Sequence, residues 1–129
     1  MGQNSTEVAY GFGQLGSVLN DGTAAMAPPT GKVFIAITML ADTTFDTSAG
    51  LVADNDSANG LEYIGTVFAR DTDGTANDAA HDESSSTTTL GSGGVVVDVD
   101  NTFPKGLTIY GRWTSILLDS GSCIAYVGY

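Results

Sequence analysis

The chain has 129 residues, of which 42% are hydrophobic and 17 are glycine. This length and composition are typical of one folded, turn-rich domain and unlike those of a disordered chain. Four lysines and arginines stand against fifteen carboxylates, which gives a formal net charge of −11. Such a charge repels phosphate backbones and anionic lipid headgroups, so we expect neither nucleic acid nor a membrane as a partner.

The N-terminal 31 residues are rich in glycine and are predicted to form an arm or strand, closing on Pro28-Pro29. The segment 32–41 (KVFIAITMLA) is almost continuously apolar and contains several β-branched residues, which predicts a buried central strand. Further strands are predicted at 61–70, 95–99, 107–118 and 123–129. The last two flank Asp119-Ser120-Gly121-Ser122, a turn-forming run, so they are predicted to pair with each other as a β-hairpin.

No window of helical length shows a sustained 3.6-residue apolar period. Strands separated by turn clusters, without helices between them, predict an all-β chain. We expect a single-domain antiparallel β-sandwich or jelly-roll-like fold over 1–129, with 32–129 as its β core. Two long acidic loops, at 42–60 and 71–94, are predicted between the strands.

Two features of the sequence are candidates for cofactor binding or catalysis. The string GFGQLG at 11–16 matches the GxGxxG motif of dinucleotide-binding proteins, but a turn is predicted soon after it, so tight bends in an N-terminal strand are favoured. The only histidine, His81, lies among carboxylates, and the chain lacks GxSxG and HExxH motifs. We predict no catalytic residues; a small glycan-active enzyme using Glu62 is the remaining catalytic alternative.

The single cysteine, Cys123, has apolar neighbours and no cation or base close to it in the sequence, which predicts an inert, buried thiol. The opening MGQNSTEVAY lacks the features of a secretory signal, and no apolar run approaches the ~20 residues of a membrane span. We therefore expect a soluble chain that is assembled in the cytoplasm.

Clustered aspartates resemble calcium loops, but neither acidic stretch supplies the ligand spacing of an EF-hand. A less regular calcium site is a weaker alternative to solvated acidic loops, so no metal or other cofactor is expected. The residues that would contribute to such a calcium site are Asp54, Asp56, Asp71 and Asp73.

Aromatic residues are concentrated in the last quarter of the chain. On a strand, Tyr110, Arg112 and Thr114 share one face, opposite Trp113. Because Tyr and Arg are enriched in interfaces, one face is predicted to reach a partner, the alternative being that these residues serve only the core and the sheet edges. Together with the N-terminal arm, the predicted interface residues are Tyr10, Phe12, Leu15, Tyr110, Arg112, Trp113, Tyr126 and Tyr129.

Three stretches resemble small virion structural proteins of marine tailed bacteriophages: GQNSTEVAYGFGQLGS at 2–17, VFIAITMLAD at 33–42, and FPKGLTIYGRW with CIAYVGY within 103–129. The resemblance implies a decoration (cement) protein on the capsid exterior, without catalytic residues. Its partners would be the major capsid protein and copies of itself, as a dimer or trimer. The alternative is a head or tail fibre or adhesion module that binds a host surface, with calcium assistance. Negative charge suits a surface facing away from packaged DNA.

Overall fold

The structure is a computed structural model that describes residues 15–54, 64–65 and 97–129. These residues form strands and no helix, so the all-β prediction is confirmed. Among them no helix is long and apolar enough to cross a membrane. The seven strands are β1 Ser17–Asn20, β2 Val33–Met39, β3 Thr44–Phe45, β4 Leu51–Ala53, β5 Thr108–Ile116, β6 Leu118–Ser120 and β7 Cys123–Gly128.

Five strands form one antiparallel sheet in the order β1-β7-β2-β5-β4, and β3 pairs with β6 in a second, two-stranded sheet. The predicted strand at 32–41 is confirmed as β2, the middle strand of the larger sheet. Five of its seven residues are buried, which explains why such an apolar segment occupies the centre. The antiparallel all-β class is confirmed, whereas these two sheets do not establish a jelly roll.

The predicted hairpin between 107–118 and 123–129 is wrong. β5 and β7 lie on opposite sides of β2, so that Ala36 pairs with Tyr110 on one side and with Tyr126 on the other. The chain leaves the larger sheet after β5, pairs with β3 through β6, and returns to β7 through Gly121. Gly121 has a φ of 94°, a left-handed conformation that favours glycine. The turn therefore joins β6 to β7, and the more apolar β2 takes the place between β5 and β7.

The predicted strand at 95–99 is also wrong where the chain is described, because residues 97–101 form a turn. Asn101 Oδ1 accepts the N–H of Asp98 at 2.9 Å, and Asp98 Oδ1 accepts the N–H of Asp100 at 2.8 Å. These local side-chain acceptors compete with a strand ladder for the same backbone donors. Of the predicted strand at 61–70, only residues 64–65 are described, and they are not in a strand.

Both sheets contribute to one core. Its largest fully buried side chains include Trp113 and Phe34 from the larger sheet and Phe45 from β3. Phe45 meets Phe103 edge to face, with ring centroids 5.2 Å apart. Trp113 donates its indole N–H to the carbonyl oxygen of Ile64 at 2.7 Å, so its one polar atom is satisfied inside the core. The core therefore covers one face of the five-stranded sheet.

Candidate binding face of the five-stranded sheet

The register of the strands assigns each side chain to one face of the sheet. Residues paired directly across antiparallel strands project from the same face. Ile37, with its partners Ile109 and Ala125, belongs to the core face. The opposite face carries two rows of four residues, and we call these eight residues the outer face. The first row is Ser17, Tyr126, Ala36 and Tyr110, and the second is Leu19, Ile124, Thr38 and Thr108.

None of the eight outer-face residues carries a formal charge at neutral pH, in a chain with a net charge of −11. Leu19 is 63% exposed and Tyr110 is 65% exposed. The hydroxyls of Thr38 and Thr108 are hydrogen-bonded to each other at 2.8 Å. The outer face is therefore an uncharged surface with exposed apolar area, and binding there would not require the removal of water from a charge.

A second cluster forms around Arg112 of β5, which contacts residues from two other parts of the chain. Its Nε and Nη2 atoms donate to Asp54 Oδ2 at 3.1 and 3.0 Å. Its Nη1 donates to the carbonyl oxygen of Tyr129. The ammonium of Lys32 lies 4.7 Å from the centroid of the Tyr129 ring, a cation–π contact. We call these four residues the arginine cluster.

The donors of Arg112 are thus used largely within the chain. Its side chain is 31% exposed, and its charge is compensated by Asp54. The arginine cluster ties the end of β4 to β5 and to the residue that follows β7. This arrangement favours a role for Arg112 in holding the fold together over a role in contacting a partner. Tyr129, in contrast, is 75% exposed and accessible to a partner.

The structure brings together two of the predicted interface residues, Tyr110 and Tyr126, in one row of the outer face. It places Arg112 and Tyr129 in the arginine cluster, while Leu15 packs against the core. The prediction for Trp113 as an interface residue does not hold for the folded chain, because its side chain is fully buried. Tyr10 and Phe12 lie outside the described residues.

Sequence reasoning missed six members of the outer face: Ser17, Leu19, Ala36, Thr38, Thr108 and Ile124. No local pattern marks them, because they meet only through pairings between strands that are distant in the chain. The alternation of side-chain size and polarity along β2 did indicate part of the outer face. Ala36 and Thr38 are small or polar residues between larger apolar ones, which is typical of a strand whose two faces differ.

Several aspartates of the described loops serve as acceptors for turns. Asp46 Oδ1 accepts the backbone N–H groups of Ser48 and Ala49 at 2.9 and 3.0 Å. These two bonds hold the pKa of Asp46 below its ordinary value of 3.8, because they stabilise the ionised carboxylate. Asp42 Oδ1 accepts the N–H of Lys105 at 2.9 Å. Much of the acidity of these loops therefore has a structural role.

Of the calcium candidates, only Asp54 is described, and its carboxylate is paired with Arg112. A guanidinium in that position competes with a divalent cation for the same oxygen. Asp56, Asp71 and Asp73 lie outside the described residues. Within the described part of the chain, no three His, Cys, Asp or Glu side chains come together as a metal site would require.

The remaining sequence candidates have structural explanations where they are described. Cys123 is fully buried, and burial raises the pKa of its thiol to about 11, so the thiolate needed for nucleophilic chemistry is disfavoured. Gly16, the last residue of the GFGQLG string, adopts a φ of 103° and leads directly into the strand β1. A pyrophosphate site of this type needs a helix at that point. Residues 11–14 and His81 lie outside the described residues.

Comparisons of the chain with protein-family models, with curated proteins and with solved structures each returned no match.

Proposed function

We propose that the protein is a non-enzymatic structural subunit that docks on another protein through the outer face. In the form that we favour, it is a virion decoration protein, and the docking partner is the major capsid protein on the outside of the shell. The observation that carries the proposal is an uncharged face, with Leu19 and Tyr110 more than 60% exposed, in a chain of net charge −11.

Charge supports a protein as the partner. Interface centres are depleted in charged residues and enriched in tyrosine, and the outer face has two tyrosines and no charge. A nucleic acid or an anionic membrane would need cations, yet the chain has only four lysines and arginines. Two of the four, Lys32 and Arg112, already interact with Tyr129. An uncharged protein surface is the partner that this face fits best.

The size of the outer face supports docking at many equivalent sites rather than one strong isolated contact. Four strands ~4.8 Å apart and two rows ~7 Å apart enclose an area on the order of 100–200 Å² between Cα positions, well below the ~800 Å² per partner of a standard interface. Residues around the face must therefore contribute as well. A repeating shell would compensate for a modest contact because neighbouring subunits can bind together.

The virion context is supported by the resemblance of residues 2–17, 33–42 and 103–129 to small phage structural proteins, and by the sign of the net charge. A strongly acidic chain is repelled by packaged DNA, so the outer side of a shell is the favourable side. We place the protein there, on the capsid exterior, after assembly in the cytoplasm of the host.

The test is co-sedimentation of the purified protein with DNA-free shells of the parent virus. The double variant Leu19→Ser/Tyr110→Ser removes the two exposed apolar side chains of the outer face. Since truncation of an anchor side chain in an interface costs about 2 kcal/mol or more, we expect at least a tenfold weaker apparent Kd. Val99→Ser is the matched control, because Val99 is an exposed apolar residue in a turn away from the outer face.

Saturable binding that the double variant weakens and Val99→Ser does not would support the proposal. Failure to bind shells, or equal binding by all three proteins, would contradict it. The fibre or adhesion alternative makes a different prediction: binding to host-cell envelopes, with a melting temperature that rises with calcium and falls with EDTA.

A further inference from the structure

The free edge of the five-stranded sheet at β1 is a second feature that could bind a protein, and it is separate from the outer face. β1 is the first strand in the sheet order, and among the described strands β7 is its one neighbour. Its sequence, Ser-Val-Leu-Asn, contains neither a charge nor a proline. Natural proteins commonly protect sheet edges with lysine, proline or a bulge, because an unprotected edge can pair with another chain.

The hydrogen bonds of β1 show which backbone groups point away from β7. The N–H of Val127 donates to the carbonyl oxygen of Gly16 at 2.9 Å, while Ser17 stands opposite Tyr126. In an antiparallel ladder this pattern means that Val18 and Asn20 direct their N–H and C=O groups toward β7. Ser17 and Leu19 direct theirs to the free edge. No described residue makes a backbone hydrogen bond with those groups of Ser17 and Leu19.

Those outward groups have the spacing needed for self-pairing. If two β1 strands meet antiparallel around a two-fold axis at Val18, Ser17 of each copy lies opposite Leu19 of the other. Both residues then present outward groups, so each of the two pairs can form two N–H···O=C bonds. All the outward ladder groups of Ser17 and Leu19 are satisfied at once. An isologous contact of this kind closes as a dimer.

The charged residue next to β1 in the described chain does not oppose the contact. Asp21 follows β1, and in this register it stands opposite residue 15 of the other copy, six positions from that copy's own Asp21. At ~3.4 Å per residue the two carboxylates are about 20 Å apart, beyond the Debye length of about 8 Å at physiological salt.

We propose that two copies of the chain pair through β1, with Val18 on the two-fold axis, and join their five-stranded sheets into one sheet of ten strands. The pairing sets the two outer faces side by side on a single surface. It does not depend on the proposed function, because it requires no shell and is measured on the purified protein alone.

The first test uses the backbone geometry. Leu19→Pro removes an outward N–H without breaking the ladder to β7, and proline is tolerated on edge strands. Leu19→Thr is the matched control, because it also removes the leucine side chain but keeps the N–H. By light scattering after size exclusion, we expect the native chain and Leu19→Thr to form dimers and Leu19→Pro to be a monomer.

The second test uses cross-linking and remains informative if Leu19→Pro misfolds. In a Cys123→Ala background, Val18→Cys places two thiols on the two-fold axis, in a non-hydrogen-bonded pair with Cα atoms about 4.5 Å apart, within disulfide range. Mild oxidation should convert most of the protein into a covalent dimer. Leu107→Cys in the same background, at an exposed site outside β1, should not cross-link.

A native chain that stays monomeric up to about 500 μM, a concentration at which even weak pairing is populated, would overturn the proposal. A dimer that Leu19→Pro leaves intact, or one in which Val18→Cys forms no covalent link, would also overturn it.

Discussion

The two faces of the five-stranded sheet are made by alternate residues of the same strands. The side chains on the two faces differ in size, shape and exposure to solvent. On β5, Trp113 is fully buried, whereas Tyr110 is 65% exposed. On β2, Ile37 is fully buried in the core, whereas Thr38, next to it, lies on the outer face. Neither the buried core residues nor the eight residues of the outer face carry a formal charge, so charge does not distinguish the two sets.

The comparison separates stability from recognition. The core face contains closely packed side chains with satisfied polar atoms, and a change there must create a cavity or a clash. On the outer face, Leu19 and Tyr110 are more than 60% exposed, so we expect changes at these two residues to affect the fold less than changes in the core. Mutations on the two faces should therefore have opposite effects on folding and on binding, and the following experiments test this in order of expected size.

The largest effect is expected for Trp113→Ala, which empties a central core site and removes the donor to Ile64. Large-to-small changes of this type cost about 3–5 kcal/mol. Urea denaturation followed by circular dichroism measures the loss of unfolding free energy. Trp113→Phe, which keeps much of the volume but not the N–H, should lose less. A loss below about 1 kcal/mol for Trp113→Ala would contradict the assignment of this face as the core.

Substituting two glycines, Gly111 and Gly128, with alanine compares a rigid environment with a flexible one. A Cβ at Gly111 would lie 2.7 Å from Cζ2 of the Trp113 ring, whereas a Cβ at Gly128 would lie 2.6 Å from Cγ2 of Ile35. The indole ring is fixed in the core, while Ile35 is only half-buried and can change rotamer. We expect Gly111→Ala to cost about 1–3 kcal/mol and Gly128→Ala less than about 1 kcal/mol in thermal unfolding. Equal costs would show that the two environments are equally rigid.

The buried thiol predicts how the core face responds to alkaline pH. The pKa of Cys123 is raised by burial from 9.0 to about 11, so above pH 9 the unfolded chain releases this proton before the folded chain does. The free energy of unfolding therefore falls between about pH 9 and pH 11. Cys123→Ala should lack this part of the decline. Matching pH profiles of the two proteins would contradict the prediction.

The arginine cluster should have a smaller, salt-dependent effect. Arg112→Ala removes the pair with Asp54 and the bond to Tyr129, and because the pair is partly exposed we expect a cost of about 1 kcal/mol. A double-mutant cycle with Asp54→Asn, measured at low and high salt, isolates the contribution of the pair. An interaction energy that does not decrease with salt would argue against an ion pair at the surface.

The smallest effect on stability is expected on the outer face itself. Tyr110→Ser and Leu19→Ser should each change the free energy of unfolding by no more than about 0.5 kcal/mol, because both side chains are largely exposed. Urea denaturation of the same variants used for shell binding measures this. A large loss of stability would mean that these residues belong to the fold and that weakened binding has a trivial cause.

Local sequence was enough to identify several features. The apolar, β-branched segment around Phe34 and Ile37 predicted a buried strand, and two-residue alternation on 107–118 placed Trp113 and Tyr110 on opposite faces. The apolar surroundings of Cys123 predicted an inert thiol, and the structure confirms its burial. These properties follow from side-chain type and strand periodicity, which act within a few residues.

Pairing between distant strands required the tertiary structure. The hairpin prediction failed because a turn-forming sequence shows where the chain reverses but not which strand it returns to, and β6 paired with β3 before the chain reached β7. The outer face and the β1 edge also depend on that topology, since Leu19 meets Ile124 and Thr38 only through the order β1-β7-β2. The sequence alone thus determined an acidic all-β chain with a buried central strand. Which residues share a surface was decided only by long-range pairing, in which β2 took the central position between β5 and β7.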